Sequence, residues 1–462
     1  MKRLILPILL GAFLIRFLLP LFAFIYTNNP LVFHSADTGL YIEPATQLLA
    51  TGRFLNKDGL TPDIEYPPGY PLLLLPGLLL NNPEGVTIGL QIILSCLTVY
   101  LVYQVALLLS GGKVKLSALC AGLYAVEPLS ILYTTKLMSE TLYTTILMVF
   151  LYCFCKYIEG RRFKYLIFSA IALGVSTYVR PISYYLPFLI SIFLLIWIFT
   201  KIQKKKIFLV HTCLFFVISM GIIGVWEVRN RVVAGYPGFA AGVDVNLYFY
   251  KAASVLAVKE KIPFVDMQKK LGFLDREIYY SLHPELRNGT QTDRYLSMRE
   301  DGKKILAENR LVYLILHLKG IVQVLSGPGA GEYISLFGRD VNELGKTQGA
   351  FQDSRTETAK SIMQKDPVIF GTYALMGVLL FAYILLAAVG LISYRNWLNN
   401  IPFMALLSLG FYLLAAAGGQ SGYSRFRHPL MPLICILAGY GLSVIFDKFS
   451  KKNSLEEQSV TE

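Results

Sequence analysis

LILPILLGAFLIRFLLPLFAFIY, residues 4–26, is an apolar run long enough to cross a bilayer core, interrupted by a single charge, Arg16. At about 1.5 Å per helical residue, roughly 20 apolar residues span the ~30 Å of hydrocarbon. Comparable runs recur at 86–109, 114–134, 140–158, 164–179, 182–200, 207–227, 368–393, 401–418 and 429–446, which makes ten. With 55% hydrophobic and only 16% charged residues among 462, the chain reads as an all-α polytopic membrane protein. Its mean hydropathy is +0.53. Lys2 and Arg3 precede the first run, which reaches Tyr26 without a small-x-small cleavage site, so it reads as an uncleaved first span.

The formal charge of +13 is not a nucleic-acid signal, because the basic residues sit in short clusters between apolar runs. Lys2 and Arg3, Lys113 and Lys115, Arg161, Arg162 and Lys164, Lys201 with Lys204 to Lys206, Arg395, and Lys448, Lys451 and Lys452 all fall on one side of a ten-span chain. The positive-inside rule makes that side cytoplasmic, with both termini there. The outer side then receives the loop 27–85, the Ser139-Glu140 turn, Arg180, the segment 228–367 and the cluster Tyr423 to His428. Three regions follow: a transmembrane catalytic core over 1–227, an extracytoplasmic segment over 228–367, and C-terminal helices with a cytoplasmic tail over 368–462. Within the second, LVYLILHLKGIVQVLS (311–326) is short for a span and reads as an interfacial or re-entrant helix, the alternative being a span whose partner is not evident in the sequence. The tail LEEQSVTE reads as disordered. All six cysteines lie inside apolar runs, so neither a disulfide framework nor a zinc site is implied.

The polar residues on the outer side carry the chemistry. In HSADTGLY (34–41), Asp37 can cap the helix that ends at Gly52, yet a partly desolvated carboxylate among aromatic residues at the bilayer edge also suits proton transfer. Glu140 in LMSETLY follows a capping Ser139 and sits where a helix dipole favours negative charge, so helix-start and substrate-contact readings are evenly matched. Arg180, before Pro181, can anchor at headgroup level, and the same plain reading covers Arg229 and Arg231. Arg425, Arg427 and His428 are harder to explain that way, because cations are disfavoured on the outer side; they imply an anion, and a lipid phosphate fits guanidinium geometry.

Taken together, Asp37 followed by Tyr41 and Gly52, YPPGYPLLL (66–74), LMSETLY (137–143), YVRP (178–181) and RFRHPLMPLICILAGYG (425–441) resemble the GT-C glycosyltransferases of family 39, relatives of the protein O-mannosyltransferases and the lipid A aminoarabinose transferase. The resemblance implies a GT-C-type fold, a polyprenyl-phosphate sugar donor, inverting transfer on the outer face and Asp37 as the catalytic loop acid. Two positions depart from the family pattern: Thr38 stands where the family often pairs Asp with Glu, and Tyr66 stands where the aminoarabinose branch has Lys, which argues against that donor. Pro44 is placed to interrupt the first loop helix.

A lipid phosphate leaves as a stable anion, so one base plus cations suffices for transfer. In this scheme Asp37 takes the acceptor proton, while Arg180, Arg425, Arg427 and His428 hold the phosphate. Pro67, Pro68 and Pro71 return the loop to the membrane so that Tyr41, Tyr66 and Tyr70 wall the sugar site, with Glu65 and Glu140 on sugar hydroxyls or a basic residue. The acceptor can be a lipid, a protein or a wall polymer; no cofactor is implied, and metal use stays open. A lipid-linked sugar flippase needs mid-membrane charges and repeats, of which only Arg16 is present, read as a helix–helix contact. A polysaccharide polymerase or ligase shares the basic cluster and is separated by its diphosphate donor.

Overall fold

The computed structural model describes residues 2–202, 205–339, 366–394, 400–419 and 423–460, so Lys204, Arg395 and the 340–365 part of the 228–367 segment lie outside it. Among the described residues there is no β-strand beyond an isolated bridge between Leu55 and Pro62. Seven helices are long and apolar enough to cross a membrane, starting within Leu4–Thr27, Pro83–Leu109, Glu140–Gly160, Pro181–Lys201, Lys205–Ala234, Pro367–Ser393 and Ser424–Lys448. The chain is a multi-pass, all-helical membrane protein.

In chain order the helices that concern the site are α1 (Lys2–Thr27), α2 (Thr38–Thr51), α3 (Gly69–Leu79), α4 (Pro83–Leu109), α5 (Val114–Ala125), α6 (Pro128–Leu132), α7 (Glu140–Gly160) and α8 (Phe163–Val179). The other three expected spans are shorter helices: α5 of 12 residues, α8 of 17, and Ile401–Ala416 of 16. The run read as one span over 114–134 is broken after Ala125, and the cause is local. Pro128 pushes Glu127 out of the helical region to ψ 120°, and the Glu127 carboxylate then caps α6, accepting from Leu129 N at 3.0 Å and Ser130 N at 2.6 Å.

Arg16 seals that break. Fully buried, it donates to Ser95 Oγ (2.8 Å), Ala125 O (2.6 Å), Tyr124 O (3.3 Å) and Ser130 Oγ (3.1 Å), so its charge meets carbonyls that the end of α5 leaves open. The helix–helix reading of this residue holds. Pro44, by contrast, does not interrupt α2, which runs through it to Gly52, a left-handed C-cap at φ 69°. The tail read as disordered is also helical as far as Val460.

The segment 311–326 forms a helix (Arg310–Ser326) that bends by 55° into a second one, Ala330–Leu336, across Gly327-Pro328-Gly329. Pro and a Gly at φ 75° account for the turn. The helices Pro367–Ser393 and Met431–Val460 pack backbone to backbone at Gly390 and Gly441, where any Cβ would overlap the facing chain. Between Gly235 and Glu308 short helices enclose a second apolar cluster built on Tyr236, Tyr248, Phe249, Tyr279, Tyr295 and Met298. One residue of the first loop, Ile64, is plugged into it. Arg299 braces this unit through a bidentate pair with buried Asp244 at 2.9 and 3.0 Å. All six cysteines are free thiols.

Candidate functional site

Segments far apart in sequence meet where α1 ends. Asn29 caps a 3-10 turn, Pro30–Phe33, and the chain then runs through His34 to Asp37, the residue before α2. Asp37 occupies the capping position, yet its side chain caps nothing. Its Oδ2 instead accepts a 2.6 Å bond from Arg425 Nη1, closing a 388-residue separation. Tyr41, one helical turn on, lies on the same face.

The EYPPGYP turn is shaped by a residue the sequence reading passed over. Asp63 Oδ1 accepts from Glu65 N (2.8 Å) and Tyr66 N (3.2 Å), an Asx-type turn that aims both side chains. Burial pushes the Asp63 carboxyl up to about 7, against those two donors. The Glu65 carboxyl is also raised, chiefly by burial, while Tyr295 OH donates to its Oε2 at 3.0 Å. Gly69 closes the turn against the Tyr178 carbonyl, leaving no room for a Cβ. Arg229 ties the loop down by donating to Asp63 O (2.5 Å) and Phe54 O (2.7 Å) while lying over the Trp226 ring.

Tyr41 stands edge-on to Tyr70 (4.9 Å between centroids) and to Tyr66 (6.1 Å). Tyr70 is a correction: it is fully buried behind Tyr41, its hydroxyl donating to Gln91 Oε1 at 3.0 Å, so it supports the wall and does not face the site. Gln91, another residue without a sequence signal, passes the contact on by donating to the carbonyls of Thr134 (3.0 Å) and Lys136 (2.9 Å).

Glu140 begins α7, fully buried, and its Oε1 accepts from Arg180 Nη1 at 2.6 Å, whereas its Oε2 has no partner among the described residues. Ser139 does not cap this helix; its hydroxyl lies 3.4 Å from Tyr41 OH. Arg180 is extended (ψ 122°), as a residue before proline should be. The Phe426 ring sits between the two cations, its centroid 5.6 Å from the Arg180 guanidinium carbon and 5.1 Å from that of Arg425.

The cluster RFRHP is therefore divided, which corrects the expectation that it acts as one anion site. Arg427 is buried and donates to Val324 O (2.6 Å) and Gly327 O (2.7 Å), satisfying carbonyls at the end of the Arg310–Ser326 helix. His428 is buried as well, with Nδ1 2.8 Å from Thr144 Oγ1 and its ring edge-on to Tyr133. A 3-10 turn over Ser424–Leu430 sends only Arg425 toward Asp37. Tyr250, on a π-helical turn (Leu247–Ala252) of the unit between Gly235 and Glu308, lies within electrostatic reach of Asp37, Arg425 and Glu65. A one-turn π-helix is a rare feature enriched at functional sites, but no sequence pattern announces it.

The assembled site holds two carboxylates and two guanidiniums under a tyrosine wall. Asp37 is 29% exposed and Glu140 is sealed at 0%, so Asp37 is the carboxylate that an incoming group can meet. No cluster of three metal-ligating His, Cys, Asp or Glu side chains occurs among the described residues.

The fold around this site is what the comparisons with known proteins bear on. Residues 65–223, about a third of the chain, match the family model described as dolichyl-phosphate-mannose-protein mannosyltransferase. The fold is similar to that of the oligosaccharyltransferase AglB of Archaeoglobus fulgidus, in complex with an inhibitory peptide and a dolichol-phosphate, at a TM-score of 0.53 and 14% identity over 99% of this chain. It is also similar to the apo form of the Archaeoglobus fulgidus enzyme, at 0.52 and 16% over 98%. The chain spans about half, 52%, of the length of those chains. No curated protein matches it.

Proposed function

We propose that this protein is an inverting membrane glycosyltransferase that moves a sugar from a polyprenyl-phosphate donor to an acceptor hydroxyl on the outer face of the membrane. The observation that carries the reading is the pairing of Asp37 with Arg425 at 2.6 Å beside Glu140 with Arg180 at 2.6 Å, which sets one accessible carboxylate against two cations. The family description and the dolichol-phosphate of the archaeal complex support a lipid-phosphate donor.

In this scheme Asp37 accepts the proton of the acceptor hydroxyl while its oxygen attacks the anomeric carbon. The bond from that carbon to the phosphate oxygen breaks on the opposite side, which inverts the centre. The lipid phosphate departs with the electron pair as an anion, neutralised by Arg425 and Arg180. Arg425 exchanges one anion for another, because the charge it loses at Asp37 on protonation is replaced by the charge developing on phosphate. Glu140 holds Arg180 in place, and Tyr41, Tyr66 and Tyr250 line the sugar side. The seal around Arg16 argues against a transport path, since its donors are engaged by hydroxyls and carbonyls.

Purified protein given a panel of radiolabelled polyprenyl-monophosphate sugars tests the reading. Label leaving the lipid fraction for an envelope acceptor supports it; consumption of diphosphate donors alone would replace it with the polymerase or ligase reading.

A further inference from the structure

The segment that delivers Asp37 is held from behind by an ion pair that takes no part in the scheme above. Lys136 is fully buried, and its Nζ donates to Val32 O at 2.8 Å and to Ser335 Oγ at 3.0 Å. It lies 3.5 Å from Glu332 Oε2, and the same oxygen accepts from Ser35 Oγ at 3.0 Å. One carboxylate on the short helix Ala330–Leu336 thus neutralises the lysine that grips Val32 and itself grips Ser35. Those two points lie five and two residues before Asp37. Two further bonds close the frame: Leu137 N donates to Phe33 O (2.9 Å), and Thr38 Oγ1 donates to Leu137 O (3.0 Å).

A buried ammonium is tolerated only when paired, and Glu332 is the one carboxylate within ion-pair distance of Lys136 among the described residues. That charge requirement ties the Asp37 segment, the 133–139 turn leading to Glu140 and the far arm of the bent helix pair into one unit. We infer that Lys136 and Glu332 are positioning residues that hold the 32–37 segment so that the Asp37 carboxylate faces Arg425 and the acceptor. The inference rests on the reading of Asp37 as the base. Misplacing a reacting group by about 1 Å can cost on the order of a hundredfold in rate, and the side chains of Lys136 and Glu332 bond to Val32, Ser335, Ser35 and each other rather than to Arg425 or Arg180, so the effect is assigned to turnover and not to donor affinity.

The test uses the full-length purified protein with the same panel of radiolabelled polyprenyl-monophosphate sugars and compares Glu332→Ala, Glu332→Gln and Ser35→Ala, each alone and combined with Asp37→Asn. Glu332→Ala is expected to lower kcat about thirtyfold or more, with donor KM within about twofold. Glu332→Gln, which keeps an acceptor for Ser35, should recover part of the loss. On the Asp37→Asn background the Glu332 change should cost nothing further, because a group acting through Asp37 has nothing left to position. The inference is overturned by a wild-type rate in Glu332→Ala, by a loss confined to donor KM, or by an undiminished loss on the Asp37→Asn background, which is the signature of a merely structural role. Turnover retained by Asp37→Asn alone, or no consumption of the donor by the unaltered protein, removes the base reading and this inference with it. An inactive Asp37→Asn beside a fully active Glu332→Ala removes the inference alone.

Discussion

Asp37→Asn separates chemistry from architecture because the structure assigns the two different magnitudes. The side chain makes no capping bond, so the substitution costs α2 nothing at its start. It does remove the charge of an ion pair whose side chains are 29% and 20% exposed, while the amide oxygen can still accept from Arg425. Part-exposed pairs of this kind contribute about 1 kcal/mol or less. Loss of a general base, in contrast, lowers the rate by about two to four orders of magnitude, or roughly 3–5.5 kcal/mol of transition-state stabilisation. Thermal unfolding, donor binding and turnover measured on one preparation should therefore show a nearly unchanged melting curve, donor affinity equal to or above wild type, and almost no transfer. Turnover near wild type would refute the reasoning and return Asp37 to a structural role, with Glu65 the next carboxylate to test.

Arg425→Ala should weaken donor binding by about a hundredfold, the usual scale for a cation lost from a part-buried charged contact, as read by lipid-phosphate competition. Arg427→Ala should instead lower the melting temperature and leave the donor affinity of the folded fraction unchanged, since it strips carbonyls at Val324 and Gly327. Arg16→Met should destabilise by about 3 kcal/mol or more through the uncovered carbonyls of α5, with specific activity retained in the protein that folds, as measured by detergent-solubilised unfolding. For Asp63, held at about 7 in the folded protein against about 3.9 unfolded, the folded state binds the extra proton between those values. Stability should thus fall as pH rises from about 4 to about 7, and Asp63→Asn should flatten that slope in melting curves taken across the range. In a cysteine-free background, Asp58→Cys should react with an impermeant thiol reagent applied outside and Lys206→Cys should not; the reverse pattern would put the site on the cytoplasmic side.

Much of the architecture is legible in the chain because its causes are local. Hydrocarbon thickness fixes the length of apolar run that matters, and Leu4–Thr27, Pro83–Leu109 and Pro367–Ser393 satisfy it whatever their neighbours do. The Glu127-Pro128 break was equally local and could have been read, since a residue before proline leaves the helical region. Asp37, Glu140 and Arg180 stood out because charge at an apolar boundary is costly and therefore informative.

Pairing is different, because it depends on which distant segments share a volume. In YSRFRHP three basic side chains look equivalent, and only the 3-10 turn over Ser424–Leu430 sends Arg425 to Asp37, Arg427 to the end of the Arg310–Ser326 helix and His428 to Thr144. The same holds for Tyr70, whose hydroxyl is claimed by Gln91 on α4, and for Tyr250, brought within electrostatic reach of Asp37 from some two hundred residues away. By itself the sequence determined that this chain is a bundle of membrane helices with acidic and basic residues at the ends of its apolar runs, since hydropathy, proline sterics and charge burial act over a few residues. Which carboxylate meets which cation, and which of them stays open to a substrate, was decided only by tertiary packing, because those interactions fall off within a few ångströms and no spacing along the chain encodes the distance across the fold.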